Sequence, residues 1–511
     1  MASQPLKSSK FQPIYRLHET GQQYCNTCDY QQALSCYTQA LEQIGLIPTA
    51  ESTSELEQLQ CDIYLDICEI YIRQREAIKA TDFSIQAQEL ASKLQDQVRI
   101  ADCLDRRGSI KRLQGQITAA LKDFRKSLEI KLNQLGEENI PVANSYHKIG
   151  HVYYNQGQYQ EALSMFEKSL NLRLQFLGTY HLDVATSYNL MGSVYLNQIE
   201  YDDALSMYHK SLKVRLHLLG DSHGDVANSY NNIGTVCYNQ GKYDEALSMY
   251  RKSLAIRFEI LHDNHADVAS SYNNVGLVYR NQRKYDDALS MYKKSLEIRL
   301  KALDANHPDV ATSYNNIASV YYNQGKNDEA LSMFEKSLQI YLQVLGDRHP
   351  HVVNAYNNIA NVYHAQGKYD DALGMFQKSH KIQLQRFGDY HLEVATSYYN
   401  MGNVYFMQSK YDTALPLFEE ALKIRSERLD DDHPSVTQTK SRIAETFWYQ
   451  KSWYGKVALI GMNIIDDLAN VLERYFISPL EDTSGETSSN QSRDDSSCKP
   501  IEIEREPSKQ H

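Results

Sequence analysis

No run of about 18 consecutive apolar residues occurs in the 511-residue chain, so no helix able to span a bilayer is expected. An excess of basic charge is missing too: 53 Lys and Arg stand against 64 Asp and Glu, a net charge of −11. Nucleic-acid binding needs a basic face that displaces phosphate counterions, so no nucleic-acid partner is expected. The opening residues, MASQPLKSSKFQPIYRLHETGQQ, hold no apolar core of signal-peptide type, and a cytoplasmic location is the expectation. Catalytic signatures are missing as well: there is no glycine-rich phosphate loop, no HExxH and no nucleophile elbow. The expectation is a non-enzyme without a cofactor. The eight cysteines, Cys25, Cys28, Cys36, Cys61, Cys68, Cys103, Cys237 and Cys498, follow no common spacing, which suits reduced thiols better than a disulfide framework. Cys25 and Cys28 form half a zinc site with no second pair at a suitable distance, so no metal is expected there.

What the chain has instead is repetition. From Ile100 it divides into eight consecutive 42-residue blocks without insertion, starting at 100, 142, 184, 226, 268, 310, 352 and 394 and closing at Ser435. Counting the opening residue of each block as zero, position 8 is always Gly or Ala (Gly108, Gly150, Gly192, Gly234, Gly276, Ala318, Ala360, Gly402). Position 20 is always Ala, and position 24 is always Phe or Tyr. Positions 4, 8 and 11 make one apolar stripe of helical period, and positions 20, 24 and 27 make another. Each block is therefore expected to fold as two helices, with small residues at 8 and 20 permitting close approach and aromatics at 4 and 24 filling the space beside them. Gly157, Gly241, Gly325 and Gly367 mark the turn between the two.

That pattern resembles the tetratricopeptide repeat. Units of this kind are usually about 34 residues long; the longer loop and the NN of SYNNIG resemble the kinesin light chain branch. The resemblance implies an all-α, right-handed superhelical solenoid of about ten helix-turn-helix repeats. Residues 1–13 are expected to be an N-terminal tail, 14–99 two divergent units, 100–435 the eight tandem units and 436–477 a degenerate repeat or capping helix. Residues 478–511 read as an acidic, Ser-rich disordered tail. Kinesin light chains carry a heptad coiled coil ahead of their repeats; residues 1–60 hold a repeat instead, so the motor-subunit role does not carry over.

Two polar columns invite chemistry. Position 39 is histidine seven times (His181, His223, His265, His307, His349, His391, His433), yet successive copies fall in different loops, too far apart to share a metal, and helix capping is the expectation. Position 31 is arginine five times (Arg173, Arg215, Arg257, Arg299, Arg425), expected to meet nearby carboxylates.

In tetratricopeptide proteins positions 2, 5, 9, 12 and 13 line the concave groove. The resemblance implies a peptide-binding groove containing Asn189, Asn231, Tyr238, Asn239, Asn273, Arg280, Asn281, Asn315, Tyr322, Asn323, Asn357, Asn361 and His364. Asparagine is a mediocre helix former, so its recurrence needs another cause. Its amide both donates and accepts, and a row of them can pair with the main chain of an extended peptide. The competing account is that the second asparagine, at position 6 (Asn232, Asn274, Asn316, Asn358, Asn400), bonds the neighbouring repeat. Basic residues are scarce among these positions, Arg280 standing nearly alone, which argues against a clamp for a terminal carboxylate. The function expected is a protein-interaction scaffold or adaptor that holds a protein or peptide ligand. The alternative is a signalling or cargo scaffold binding through its convex face or tail. Nothing in the sequence bears on oligomeric state.

Overall fold

The computed structural model describes residues 11–26, 29–48, 53–261 and 264–457, and every regular element among them is helical. There are two compact units, residues 1–362 and 363–511. In the first, the helices come in pairs: α1 (Gln12–Asn26) with α2 (Tyr30–Gly45), α3 (Ser54–Arg73) with α4 (Ala77–Lys93), α5 (Gln97–Leu113) with α6 (Ile117–Leu135), and α7 (Ile140–Asn155) with α8 (Tyr159–Leu177). The series continues with α9 (Leu182–Asn197) and α10 (Tyr201–Leu219), α11 (Gly224–Asn239) and α12 (Tyr243–Leu261), α13 (Ala266–Asn281) and α14 (Tyr285–Ala302), and α15 (Pro308–Asn323) and α16 (Asn327–Leu345). From α4 to α15 the second helix of each pair also packs on the first helix of the next, so these hairpins stack in chain order. Helix α17 (Pro350–Ala365) crosses the boundary between units. In the second unit α18 (Tyr369–Phe387) packs on α19 (Leu392–Met407), α19 pairs with α20 (Tyr411–Ser426), and α20 packs on α21 (Pro434–Val457). The N-terminal tail assigned to 1–13 overlaps α1 by two residues, and residues 1–10 of it lie outside the described residues. The remainder of the expected capping segment, 458–477, and the tail 478–511 also lie outside them.

The small residue at position 8 is required by the aromatic at position 24. A Cβ on Gly234 would stand 2.9 Å from two ring carbons of Tyr250, and one on Gly150 would stand 2.8 Å from Phe166. The ring occupies the volume that a larger side chain would need, and the position-20 alanines, such as Ala162 and Ala246, are fully buried beside it. Tyr208 and Tyr250 place their hydroxyls on position 9, at 3.0 Å from Ser193 Oγ and 3.1 Å from Thr235 Oγ1. The position-4 tyrosines behave differently from expectation: they are only half-buried, and a lysine ammonium covers ring after ring, as Lys252 does Tyr230 at 5.3 Å. A cation over an aromatic face shields that surface without closing it off.

All seven position-39 histidines cap helices. Each Nδ1 accepts the N–H two residues on, at 3.0 to 3.2 Å, from His181 with Asp183 through His433 with Ser435. The bond satisfies one of the N–H groups that a helix start leaves without an intrahelical acceptor.

The position-31 arginines correct an expectation. Arg173, Arg215, Arg257 and Arg299 are buried, and Nη1 of each donates to a backbone carbonyl (Asp183, Asp225, Asp267, Asp309) and to the serine hydroxyl four residues further on. The partner is the carbonyl oxygen of the aspartate, not its carboxylate, because the guanidinium comes up beneath the first turn of the next hairpin. Each arginine thereby fastens one repeat to its successor.

Turns inside the hairpins use a left-handed residue. Gly241 supplies it at φ +76°, whereas in the preceding block Ile199 is forced to +66°. A β-branched side chain is strained in that region.

Candidate peptide-binding groove

The first helices of successive hairpins meet through asparagines. Nδ2 of Asn232 donates to Oδ1 of Asn189 at 2.9 Å, Asn274 to Asn231 at 2.8 Å, Asn316 to Asn273 at 2.7 Å and Asn358 to Asn315 at 2.9 Å. Each rung joins position 6 of one block to position 5 of the block before it. These bonds are the inter-repeat contact expected of position 6, with position 5 as its acceptor. The carbonyl oxygen at position 5 is engaged in holding the stack, while the NH2 group of the same amide is left over. All eight of these asparagines remain half-exposed. The face accordingly presents donors at position 5, not the donor–acceptor pairs expected from an unconstrained amide.

Position 12 and position 13 form a second link of the same kind. Asn281 donates from Nδ2 to the hydroxyl of Tyr238 at 2.5 Å, as Asn197 does to Tyr154 at 2.9 Å. Tyr322 is half-exposed, whereas Asn239, Asn323 and Asn361 are exposed. Arg280 is half-buried on α13, one turn beyond Leu277. Because Leu277 takes the place of Ser193 and Thr235, the buried Tyr292 hydroxyl has no hydrogen-bond partner among the described residues. The Asn357 Oδ1 is likewise buried without a partner among them. His364, half-exposed in the second unit, packs its ring 5.7 Å from Tyr369, and burial lowers its pKa.

The ladder changes chemistry toward the N-terminus. The rung equivalent to Asn232–Asn189 is Lys148 Nζ to Asp105 Oδ2, 2.9 Å, across the same 43-residue interval. Asp105 is almost fully buried and also receives Lys131 at 2.9 Å. Burial by itself would raise the Asp105 pKa, but Lys148 and Lys131 outweigh it and hold it down at about 2. Between this ionic rung and the amide rungs one step is missing. Leu190 at position 6 cannot donate to His147 at position 5, and His147 is met instead by Arg173 Nη1 at 3.3 Å from its Nδ1.

Around the ionic rung the surface opens into a cleft of about 560 Å3 whose charged lining is Asp66, Glu69, Arg73, Arg106 and Lys148. Arg280 is therefore not the isolated cation that the sequence suggested. Basic side chains gather at the N-terminal end of the face, on α3, α5 and α7. The groove positions taken from the sequence miss them because the block opening at Ile100 is not among those positions, and because Arg106 and Lys148 sit at position 6, assigned to the wall between repeats. Asp105, Arg106 and Arg112, at positions 5, 6 and 12 of that block, carry the signal that would have revealed them.

No curated protein matches the chain. Among solved structures, the apo form of the quorum sensor NprR from B. thuringiensis is 14% identical, the match covering 72% of this chain and 98% of NprR at a TM-score of 0.55. The apo form of RapI is 16% identical over 73% of this chain and 99% of its own, also at 0.55. BtubC (BKLC) from P. vanneervenii is 20% identical over 44% of this chain and 91% of its own, with a TM-score of 0.40. The first two similarities show a shared fold of stacked helical hairpins. A family model described as the tetratricopeptide repeat matches residues 141–205, 188–257, 267–343, 310–385, 351–427 and 393–453, more than half of the sequence. With its stacked hairpins and in-phase 42-residue blocks, the chain belongs to the tetratricopeptide-repeat family.

Proposed function

We propose that this protein is a non-catalytic, cytoplasmic interaction scaffold that captures an extended segment of a partner protein along the first-helix face of its repeats. The observation that carries the reading is the half-engaged amide at position 5. Asn189, Asn231, Asn273 and Asn315 are each gripped through the carbonyl by the next repeat, which orients the amide and leaves its NH2 for a guest. Neighbouring packed helices lie about 8–10 Å apart, close to the length of three extended residues at about 3.3 Å each. One donor per repeat would then meet about every third carbonyl of a bound peptide, whatever its side chains. Tyr238 and Tyr322 add apolar area with a polar tip beside the row, and Asn239, Asn281, Asn323, Asn357, Asn361 and Arg280 complete the proposed surface within the first unit.

The rung geometry supplies the test. Asn231→Asp/Asn273→Asp/Asn315→Asp keeps the oxygen that each following asparagine needs while replacing the guest-facing NH2 with a second acceptor. Screened by fluorescence polarisation against a peptide library, the triple variant should lose the ligands that the unaltered protein binds, with a melting temperature within a few degrees of the parent. Asn274→Leu, copying the natural Leu190, removes one rung: it should cost about 1 kcal/mol of stability and, by releasing only the Asn231 amide, weaken binding far less than the triple variant does. Unchanged peptide affinity in the triple aspartate variant would refute the assignment of the amide row.

A further inference from the structure

The cleft at the N-terminal end of the first-helix face has a second lobe of about 390 Å3, and its charges do not balance. Arg73, Arg75, Arg106, Arg112 and Lys148 line it, and Glu69 is the one acid among its lining residues. Glu69 is shared by Arg73 at 3.1 Å and Arg106 at 2.9 Å. Lys148 is neutralised through its rung to Asp105. The side chains of Arg75 and Arg112 have neither a hydrogen bond nor an ion pair among the described residues, and Arg112 is half-buried. Burial and then the neighbouring Arg75 push the Arg112 pKa down, and the Glu69 charge offsets only part of this. Four guanidiniums thus surround one carboxylate.

Two imidazoles close the lobe. Burial first, then the Arg173 charge, pushes His147 down to about 3, and burial with Arg112 lowers His151. Near neutral pH His147 offers hydrogen bonds without adding further positive charge. The lobe therefore combines planar donor forks, neutral ring nitrogens and unbalanced positive charge in a recess walled by helices. A monocarboxylate would leave that charge largely uncompensated. A phosphate dianion brings about two negative charges and three strong acceptor oxygens, and guanidinium forks match such oxygens in pairs.

We propose that the lobe is a phosphate-dianion pocket, taking a phosphoserine or phosphothreonine side chain of a partner peptide at the N-terminal end of the groove. The pocket itself stands on the lobe's own residues; that the dianion arrives on a peptide rests on the peptide-capture reading above.

The test uses the full chain at fixed ionic strength and three fluorescein-labelled heptapeptides that differ at one central residue: phosphoserine, serine or glutamate. Inorganic phosphate serves as competitor. The phosphoserine peptide should bind at least about tenfold more tightly than either other peptide. Arg75→Gln/Arg112→Gln, at two residues with no ion pair to lose, should abolish that preference, and inorganic phosphate should displace the labelled peptide. Asn231→Asp/Asn273→Asp/Asn315→Asp separates the two proposals, since it leaves the response to inorganic phosphate unchanged if the pocket is independent of the amide row. Equal binding of the glutamate and phosphoserine peptides would overturn the dianion, and an unaltered preference in the double arginine variant would overturn the pocket. Saturable binding of inorganic phosphate that depends on Arg112, without any peptide preference, would uphold the pocket and overturn the peptide as its source.

Discussion

Replacing Asp105 with asparagine would strike the most deeply placed charge cluster in the first unit. Its side chain is 3% exposed, and the carboxylate accepts from Lys131 and Lys148, each at 2.9 Å. An asparagine at this site would keep the volume and remove the charge. Lys131, itself 3% exposed, would retain Asp102 at 2.9 Å, but Lys148 would lose its one ion-pair partner among the described residues. Removing one member of a buried pair costs about 3–5 kcal/mol, and the surviving Asp102 contact places this case near the lower bound. The pH dependence gives a second handle. The Asp105 pKa falls from 3.8 to about 2 on folding, which corresponds to about 2 kcal/mol favouring the folded state at neutral pH. A depressed carboxylate stabilises above its unfolded pKa, and that contribution disappears as pH falls from about 4 through about 2. The gap between parent and Asp105→Asn should therefore be widest at pH 7 and shrink by about half of its charge-dependent part near pH 3. Both tryptophans, Trp448 and Trp453, lie in α21, so their fluorescence would miss the event. Urea titration with pulsed hydrogen exchange, read on peptides from α5 to α7, would catch it. If those peptides open at the same urea concentration in parent and variant at pH 7, the ion cluster does not hold the hairpins together and the account is wrong.

Two substitutions probe the backbone and the helix contact. Ile199→Gly removes a β-branched residue from φ +66° on an exposed turn, and should raise stability by about 1 kcal/mol, seen as a higher urea midpoint; a lower midpoint would show that the left-handed turn is not strained. Gly234→Ala forces a methyl to within 2.9 Å of the Tyr250 ring and should cost about 1–3 kcal/mol. Alanine is natural at Ala318, where Phe334 follows in place of a tyrosine. Phe334 has no hydroxyl to anchor it, whereas Tyr250 is tied to Thr235 at 3.1 Å, so the double variant Gly234→Ala/Tyr250→Phe should recover part of the loss.

The hairpins were legible because their packing is written in residues of extreme size. An invariant small residue at position 8 and an aromatic sixteen residues later can meet in one way only, and Gly150 with Phe166 meets in that way. The histidine caps were legible for a related reason, since a lone polar residue just before a helix has few partners other than the exposed N–H groups. The arginine contact was misjudged because a sequence gives side chains without carbonyl directions; the Asp183 oxygen that Arg173 reaches belongs to the backbone. The asparagine rungs lay between two readings, because one amide can serve the wall and the face at once. The basic cleft was missed where the repeat length changes. Arg106 meets Glu69 across 37 residues, an interval that a 42-residue ruler does not measure.

Uniform rungs have a genetic corollary. Excising residues 226–267 would bring Asn274 to the place now held by Asn232, opposite Asn189, and would seat Ser271 over Arg215 where Ser229 now lies. Both seams would close with the same partners as before. An array joined this way can lose or gain whole cassettes by unequal recombination without a folding penalty at the junction, so its length is open to rapid change. The lysine and the leucine at position 6, Lys148 and Leu190, have no counterpart in the other blocks, and mark the stretch where such exchange would leave a scar.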